Sequence, residues 1–275
     1  MRDIINILMY HQIGDFPRLP GAMRSHRSTY CRTERFAAQM AFLAASGYHV
    51  LSIDEVHACV RGVAAVPPRA VALTFDDAYA GFAEHAWPVL QRYGFPATVY
   101  AIAGLLGQRS SWFAHDGRPT PRLMSAAELR TLAAQGCTIG AHSLGHTRLA
   151  GLDAARLRDE VSGCRERLED VLGAPVRHFC YPFGSHDRAA LEAVAEAGYA
   201  TATTCARAPA VPGDDPLALP RKAISHGDNL VGLWWKLHLK HDPKCVRLRR
   251  TQIAPLAGDP RSADDRSAGS TTDRS

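Results

Sequence analysis

AVALTFDDAY, residues 70–79, is the stretch on which the fold turns. Its first six residues are apolar or β-branched without a break, and two aspartates follow at once. A short run that is apolar on both faces fits a strand covered on both sides, as the strands of parallel sheets are. The same arrangement recurs outward in both directions. Ile4–Met9 leads to His11, Thr138–Ala141 to His142, and His178–Tyr181 to Pro182. Tyr48–Ile53, Ala97–Ala103, Tyr199–Thr204 and Lys222–Ser225 supply further strands.

Helices are expected between them. Thr33–Ser46 places Phe36, Met40 and Leu43 on one face and stops at Gly47, and a second helix runs from about Gly81 to Tyr93 before Gly94. Ser125 caps a helix to Gln135, and Asp187–Ala197 closes at Gly198. Leu157, Val161, Cys164, Leu168 and Val171 trace one face of a long amphipathic helix. Strand and helix in alternation mean a parallel sheet clothed in helices. Seven or eight such units in 275 residues favour a closed or nearly closed α/β barrel, a single domain over residues 1–250. Residues 251–275 form a polar tail, expected to stay disordered because it buries too little apolar surface.

Composition narrows the class. A hydrophobic share of 46% suits a globular core, and the net charge of +5 is modest, owed in part to Lys244, Arg247, Arg249 and Arg250. No basic stripe runs through the folded part, so nucleic acid is not an expected partner. The seven cysteines are odd in number and show no C-x-x-C spacing, which fits free buried thiols in a reducing compartment. The apolar run at Ile4–Tyr10 is too short for a signal peptide core or a membrane span, so the expected location is cytoplasmic.

In parallel barrels the chemistry gathers at the C-terminal ends of the strands. There this chain collects His11, Asp76, Asp77, His142, His146 and Tyr181. Two imidazoles and one carboxylate suit a divalent transition metal, zinc first, with positions left for water and substrate. Adjacent aspartates on extended backbone point in opposite directions, so one is free to ligate while the other takes a proton. Taken singly, each residue has a plain structural reading. Asp76-Asp77 suits a turn or helix cap, two histidines four apart arise by chance among 13, and His11 fits a satisfied core imidazole. The conjunction at strand ends of one polarity is what argues for catalysis.

Three segments carry a family resemblance. LTFDDAY (73–79), GAHSLGH (140–146) and HFCYPFG (178–184) resemble the leading motifs of the polysaccharide deacetylases, the NodB-homology or carbohydrate esterase 4 group. The likeness spans roughly residues 4 to 225 and implies a distorted (β/α)7 barrel. It implies metal-dependent removal of N-acetyl groups from an N-acetylated carbohydrate. By position it implies Asp76 as general base, Asp77, His142 and His146 as metal ligands, and the Tyr181 N–H as an oxyanion donor. LMYHQIG (8–14) is similar to a circularly permuted subgroup acting on poly-N-acetylglucosamine exopolysaccharides, which makes His11 the general acid. His226, after the last strand, is the rival; His11 is preferred for its place directly behind a strongly apolar strand.

One position departs from the family. Many relatives carry an arginine in the third motif to hold the catalytic aspartate, whereas Cys180 precedes Tyr181 here, and Arg221 is the candidate substitute. Other readings of the same barrel are hydrolysis of a different small amide (a formamido sugar, a lipid-linked sugar, a cyclic imide) and a non-catalytic carbohydrate-binding protein. Trp234 and Trp235 read as part of a packing helix rather than a sugar platform, His85 and His178 as scaffold, and His115 and Asp116 as candidate groove residues beside Trp112 and Phe113.

Overall fold

A computed structural model describes residues 3–15, 29–114, 120–241 and 250. The expected tail, His115, Asp116 and Lys244, Arg247 and Arg249 lie outside the described residues. The chain opens with β1 (Ile5–Tyr10) and β2 (Gln12–Gly14), and after the loop come β3 (Tyr30–Arg32), α1 (Thr33–Ala45), β4 (His49–Leu51) and α2 (Ile53–Val60). Then follow β5 (Ala70–Phe75), α3 (Trp87–Tyr93), β6 (Thr98–Ala101), α4 (Ala126–Ala134), β7 (Thr138–Ala141), α5 (Ala154–Arg158) and α6 (Cys164–Leu172). The rest is β8 (His178–Cys180), α7 (Arg188–Glu196), β9 (Thr201–Thr203), β10 (Lys222–Ala223) and α8 (Leu230–His238).

Seven parallel strands run in the order β10-β1-β5-β6-β7-β8-β9 as a strongly curled sheet, the expected distorted barrel in a single domain. β5 is its hub. β1 pairs with β5 along its full length, from Ile5 opposite Ala70 to Tyr10 opposite Phe75. The other edge of β5 is divided: β4 takes Ala70 to Ala72, and β6 takes Thr74 and Phe75. Between the ends of the sheet, β9 meets the approach to β10 through a single bridge, Thr203 to Leu219.

Both central strands are buried throughout. On one face Leu8, Tyr10, Val71, Leu73 and Phe75 join Phe36, Met40 and Leu43 of α1. On the other, Ile5, Ile7, Ala70 and Ala72 share a second core with Ile53, Val56, Cys59 and Val60 of α2. Strand alternation puts Thr74 and Asp76 on that same second face, so the interior changes from apolar to polar toward the strand ends. Thr74 keeps its hydroxyl satisfied by donating to the Leu8 carbonyl at 2.8 Å.

Several expected elements differ in detail. α2 and the β2–β3 pair have no counterpart in the sequence reading, although Ser52-x-x-Glu55 forms a reciprocal capping box at the start of α2. The helix expected from Gly81 begins as a π turn over Phe82–Ala86, and α3 follows with Pro88 in its first turn. A proline cannot donate a backbone hydrogen bond, and the wider turn ahead of it absorbs that loss. The long helix after residue 154 is broken in the same way by a π turn at Asp159–Gly163, between α5 and α6.

Candidate metal centre

β5 ends at Phe75, and the next two side chains diverge because the backbone does. Asp76 keeps to the barrel interior, and its N–H still donates to the Tyr10 carbonyl at 2.9 Å. Asp77 turns out of the strand with φ 70°. A left-handed conformation is uncommon for a residue with a Cβ, and aspartate is among the more tolerant. Five of the six non-glycine residues with positive φ among the described residues belong to this region: Asp77, Ala78, Ser143, His146 and Phe183. Strain concentrated in this way marks a site whose geometry the surrounding fold imposes.

The turn brings Asp77 to both histidines. Its Oδ1 lies 3.2 Å from Nε2 of His142 and 3.2 Å from Nε2 of His146. All three residues are buried, and one ligand atom from each lies within 4.8 Å of the others. Nδ1 of His142 is 2.7 Å from the Cys180 carbonyl. A carbonyl only accepts, so Nδ1 carries the proton, which leaves Nε2, the nitrogen that faces Asp77, to serve as the ligand atom when a metal is bound. Asp77 Oδ1 itself is buried without a hydrogen-bond partner. A buried carboxylate oxygen facing two imidazole nitrogens is costly to leave alone, and a divalent cation answers it. The donor set of two nitrogens and one oxygen fits zinc or a similar ion.

A second cluster, Asp76, His142 and Cys180, comes equally close together. It does not suit a cation. Arg221 occupies both carboxylate oxygens of Asp76, with Nη1 at 2.6 Å from Oδ1 and Nη2 at 2.8 Å from Oδ2. The same guanidinium reaches the Thr204 carbonyl at 3.0 Å, the Thr74 hydroxyl at 3.1 Å and Cys180 Sγ at 3.1 Å. Arg221, the substitute named from sequence, is therefore the tether of Asp76, and the small Cys180 side chain lies beside the pair, its Sγ 3.6 Å from Asp76 Oδ2. Burial by itself raises the Asp76 carboxyl, but the Arg221 charge and its two hydrogen bonds bring it below the usual range. Asp77 is likewise pushed up by burial and pulled well below the usual range by His146 and His142.

The two imidazoles weighed as proton donors sit apart. His11 follows β1 and holds Nε2 3.8 Å from Oδ2 of Asp76. Burial lowers its affinity for a proton below the usual imidazole range, and the Asp76 and Asp77 charges only partly offset that. His226 has Arg35 and Arg32 as its charged neighbours, and its carbonyl accepts from Arg35. Tyr181 lies at the end of β8. Its N–H donates to the Thr203 carbonyl at 3.1 Å, in the ladder between β8 and β9, and its hydroxyl donates to Leu217 at 3.0 Å. That amide pairs within the sheet in this structure.

Around the triad stands an aromatic rim. Trp112 and Phe183 flank the His146 ring, with centroids at 4.2 and 4.5 Å, and Phe113 meets Phe183 at 6.4 Å. The guanidinium of Arg148 lies 4.3 Å above the Phe183 ring. Glu160, which no sequence signal marks, fixes the loop between the two histidines. Its carboxylate accepts from the Gly145 N–H at 2.8 Å and the Thr147 hydroxyl at 2.7 Å, and its carbonyl accepts from Leu144 at 3.1 Å. The π turn is what swings Glu160 into that position, as such turns often do at functional sites.

The comparisons agree with this geometry. The polysaccharide deacetylase family model matches residues 64–202. YxkH of Bacillus subtilis, named for the polysaccharide deacetylases, is 25% identical over 223 residues, 80% of this chain and 71% of that protein. The poly-β-1,6-N-acetyl-D-glucosamine N-deacetylase of Escherichia coli is 40% identical over 73 residues, 26% of this chain but only 11% of that protein. In fold, the chain is similar to the Streptococcus pyogenes deacetylase PplD, solved in complex with acetate: TM-score 0.70, 22% identity, 86% of this chain and 98% of that one. No helix among the described residues is long and apolar enough to cross a membrane. With its three motifs gathered at one end of a curled parallel barrel, the chain belongs to the polysaccharide deacetylase family, hydrolases that act on amide bonds.

Proposed function

We propose that the chain removes N-acetyl groups from an N-acetylated amino-sugar oligomer or polymer, in exopolysaccharide or cell-envelope glycan synthesis, with zinc as its metal. The observation that carries this reading is the juxtaposition of two differently held carboxylates: Asp76 gripped by Arg221, and Asp77 facing two imidazoles. The substrate class is supported by the name of the Escherichia coli relative over its matched segment.

In this mechanism Asp77, His142 and His146 hold the ion, which when bound supplies Lewis acidity toward the acyl oxygen and the attacking water. Asp76 accepts a proton from that water. Arg221 keeps the carboxylate ionised and aimed, at the expense of basicity, which suffices when the water is already acidified. The new C–O bond forms as the carbonyl π bond opens onto its oxygen, and the C–N bond breaks when that bond re-forms. His11 protonates the departing nitrogen, so acetate and a free amine leave. The 3.8 Å separation couples the two proton transfers: the Asp76 charge supports protonated His11, and that support ends once Asp76 has taken its proton. His11 thus becomes the stronger acid at the step that needs one.

The test is acetate release from N-acetylglucosamine oligomers by zinc-loaded and metal-stripped protein. Release is expected only from the loaded form, and Asp76→Asn should abolish it. His11→Ala should lower turnover by ~10²–10⁴-fold with bound zinc unchanged, the usual loss for a proton donor. Zinc binding without acetate release would move the reading to another amide. A fully active His11→Ala variant beside an inactive His226→Ala variant would overturn the assignment of His11.

A further inference from the structure

The two histidines of the metal centre are held by different means. His142 directly follows β7, its N–H donates to the Ala101 carbonyl at 2.8 Å, and its Nδ1 is fixed by the Cys180 carbonyl. Ring and backbone are both anchored, the usual arrangement for a ligating imidazole. His146 stands four residues on, in the loop that leads toward α5, with φ 59°. Its Nδ1 is buried, and among the described residues no hydrogen-bond partner orients the ring. Trp112 and Phe183 flank the imidazole, which limits its tilt but does not set how far it reaches toward Asp77.

His146 is therefore placed by the course of residues 143–147. From one side the segment after β6 holds that course: the Ala103 N–H donates to the Ser143 carbonyl at 3.2 Å, and the Gly104 N–H to the Leu144 carbonyl at 2.8 Å. A Cβ on Gly104 would come within 2.5 Å of the Leu144 oxygen, so only glycine permits this approach. From the other side stands Glu160. Its carbonyl takes the Leu144 N–H, and its two carboxylate oxygens divide the turn, Oε2 accepting from the Gly145 N–H and Oε1 from the Thr147 hydroxyl. Those two residues are the immediate neighbours of His146 in the chain. Among the described residues no Lys or Arg pairs with Glu160, so its carboxylate is given over to this loop.

We propose, on the metal-centre reading above, that Glu160 is the positioning residue for His146 and sets the metal affinity of the site by fixing the backbone on both sides of that ligand. Glu160 touches neither Asp77 nor an imidazole, so its contribution is geometric. Left-handed backbone is disfavoured for a residue with a Cβ and persists only where the surroundings impose it. With the carboxylate gone, the turn is free to relax and to draw Nε2 of His146 away from Asp77. Asp77 and His142 alone then make a two-ligand site, one short of the three protein ligands usual at a catalytic zinc.

The experiment is zinc affinity, by chelator competition, in the full chain and in its Glu160→Ala, Glu160→Gln and Thr147→Val variants. Glu160→Ala should weaken zinc roughly 10–100-fold, the usual loss when the support of a ligand is removed. The visible spectrum of the cobalt(II)-loaded protein should change with it, because those bands report ligand number and geometry. Glu160→Gln retains an oxygen for the Gly145 N–H and an N–H for the Thr147 hydroxyl, so it should bind zinc nearly as the parent does. Thr147→Val removes one tie with little change of shape, should fall between the two, and carries the test if Glu160→Ala does not fold. Gly145 is exposed and water can answer its N–H, so the metal-free variants should melt close to the parent. Equal zinc affinity in parent, Glu160→Ala and Thr147→Val overturns the proposal. So does a Glu160→Gln variant as weak as alanine, which would make the effect one of charge. A folded parent that binds no zinc overturns the metal reading and this inference with it. Zinc held by the parent and lost from Glu160→Ala supports the inference even where no acetate is released from N-acetylglucosamine oligomers.

Discussion

Ser125 and Ser143 stand on either side of α4 and β7, and the fold uses them in opposite ways. Ser125 caps α4: its hydroxyl accepts from the Glu128 N–H at 3.3 Å, and its own N–H donates to the Glu128 carboxylate at 2.8 Å. Ser143 sits between the two metal-facing histidines with φ 63°, and its buried hydroxyl has no hydrogen-bond partner. The contrast extends to the regions around them. On the helical shell, Ser52, Asp153, Asp187 and Asn229 also cap their helices in the ordinary way. At the strand-end rim, left-handed residues and unpaired buried polar atoms collect. Local rules build the scaffold, and the scaffold holds open a site that breaks them.

The sharpest way to break the comparison is to remove a rim charge that the fold does need. Arg221→Met leaves Asp76 as an uncompensated carboxylate inside the barrel, and a loss of about 3–5 kcal/mol is expected in denaturant unfolding, along with activity. Arg221→Lys should recover much of the stability but little turnover, because an ammonium cannot grip both oxygens. Asp77→Asn separates the two regions more cleanly. Zinc binding measured by calorimetry should disappear, while the protein still folds in chelator with a modestly lower melting temperature, since asparagine tolerates φ 70° but forgoes the attraction of the two imidazoles.

Changes to the shell should do the reverse. Ser125→Ala is expected to cost about 1 kcal/mol with kcat unaltered. The smallest effect lies in the Glu128 side chain, whose carboxyl is drawn down to about 2 mainly by its Arg122 hydrogen bond. A depressed carboxyl stabilises the fold above its ordinary value near 4.5 and loses that contribution as pH falls toward 2. Being largely exposed, the pair should contribute well under about 1 kcal/mol. Parent and Arg122→Ala unfolding curves should therefore draw together below pH 4.5 and converge only as pH falls to about 2, by the same linkage.

How much was legible follows the same division. The strands could be read because burial on both faces leaves continuous apolar runs such as Ala70–Phe75, and the polar residue after each run marks the rim. The triad was legible too, since Asp77, His142 and His146 each lie within five residues of a strand end. The Arg221 tether was only a candidate, because a contact across 145 residues leaves no spacing to read. Glu160 was invisible, as a π turn shifts side chains around the helix without changing its apolar pattern. The pairing of the Tyr181 N–H with Thr203 was not legible, because a motif does not say which strand lies beside it. α2 could have been found from its Ser52–Glu55 capping box; its apolar face simply continued the strand before it.

The 145 residues between Asp76 and Arg221 also set a schedule. β5 leaves the ribosome early, but the guanidinium that neutralises its aspartate belongs to the segment that enters the barrel last. At ordinary rates of synthesis that interval lasts roughly 7–30 s. Until it ends, the growing chain cannot close its interior around Asp76 without burying a bare charge. A nascent chain halted before β10 should therefore remain loose at the hub, and the working arrangement of the two aspartates arises only once the last strand has been made.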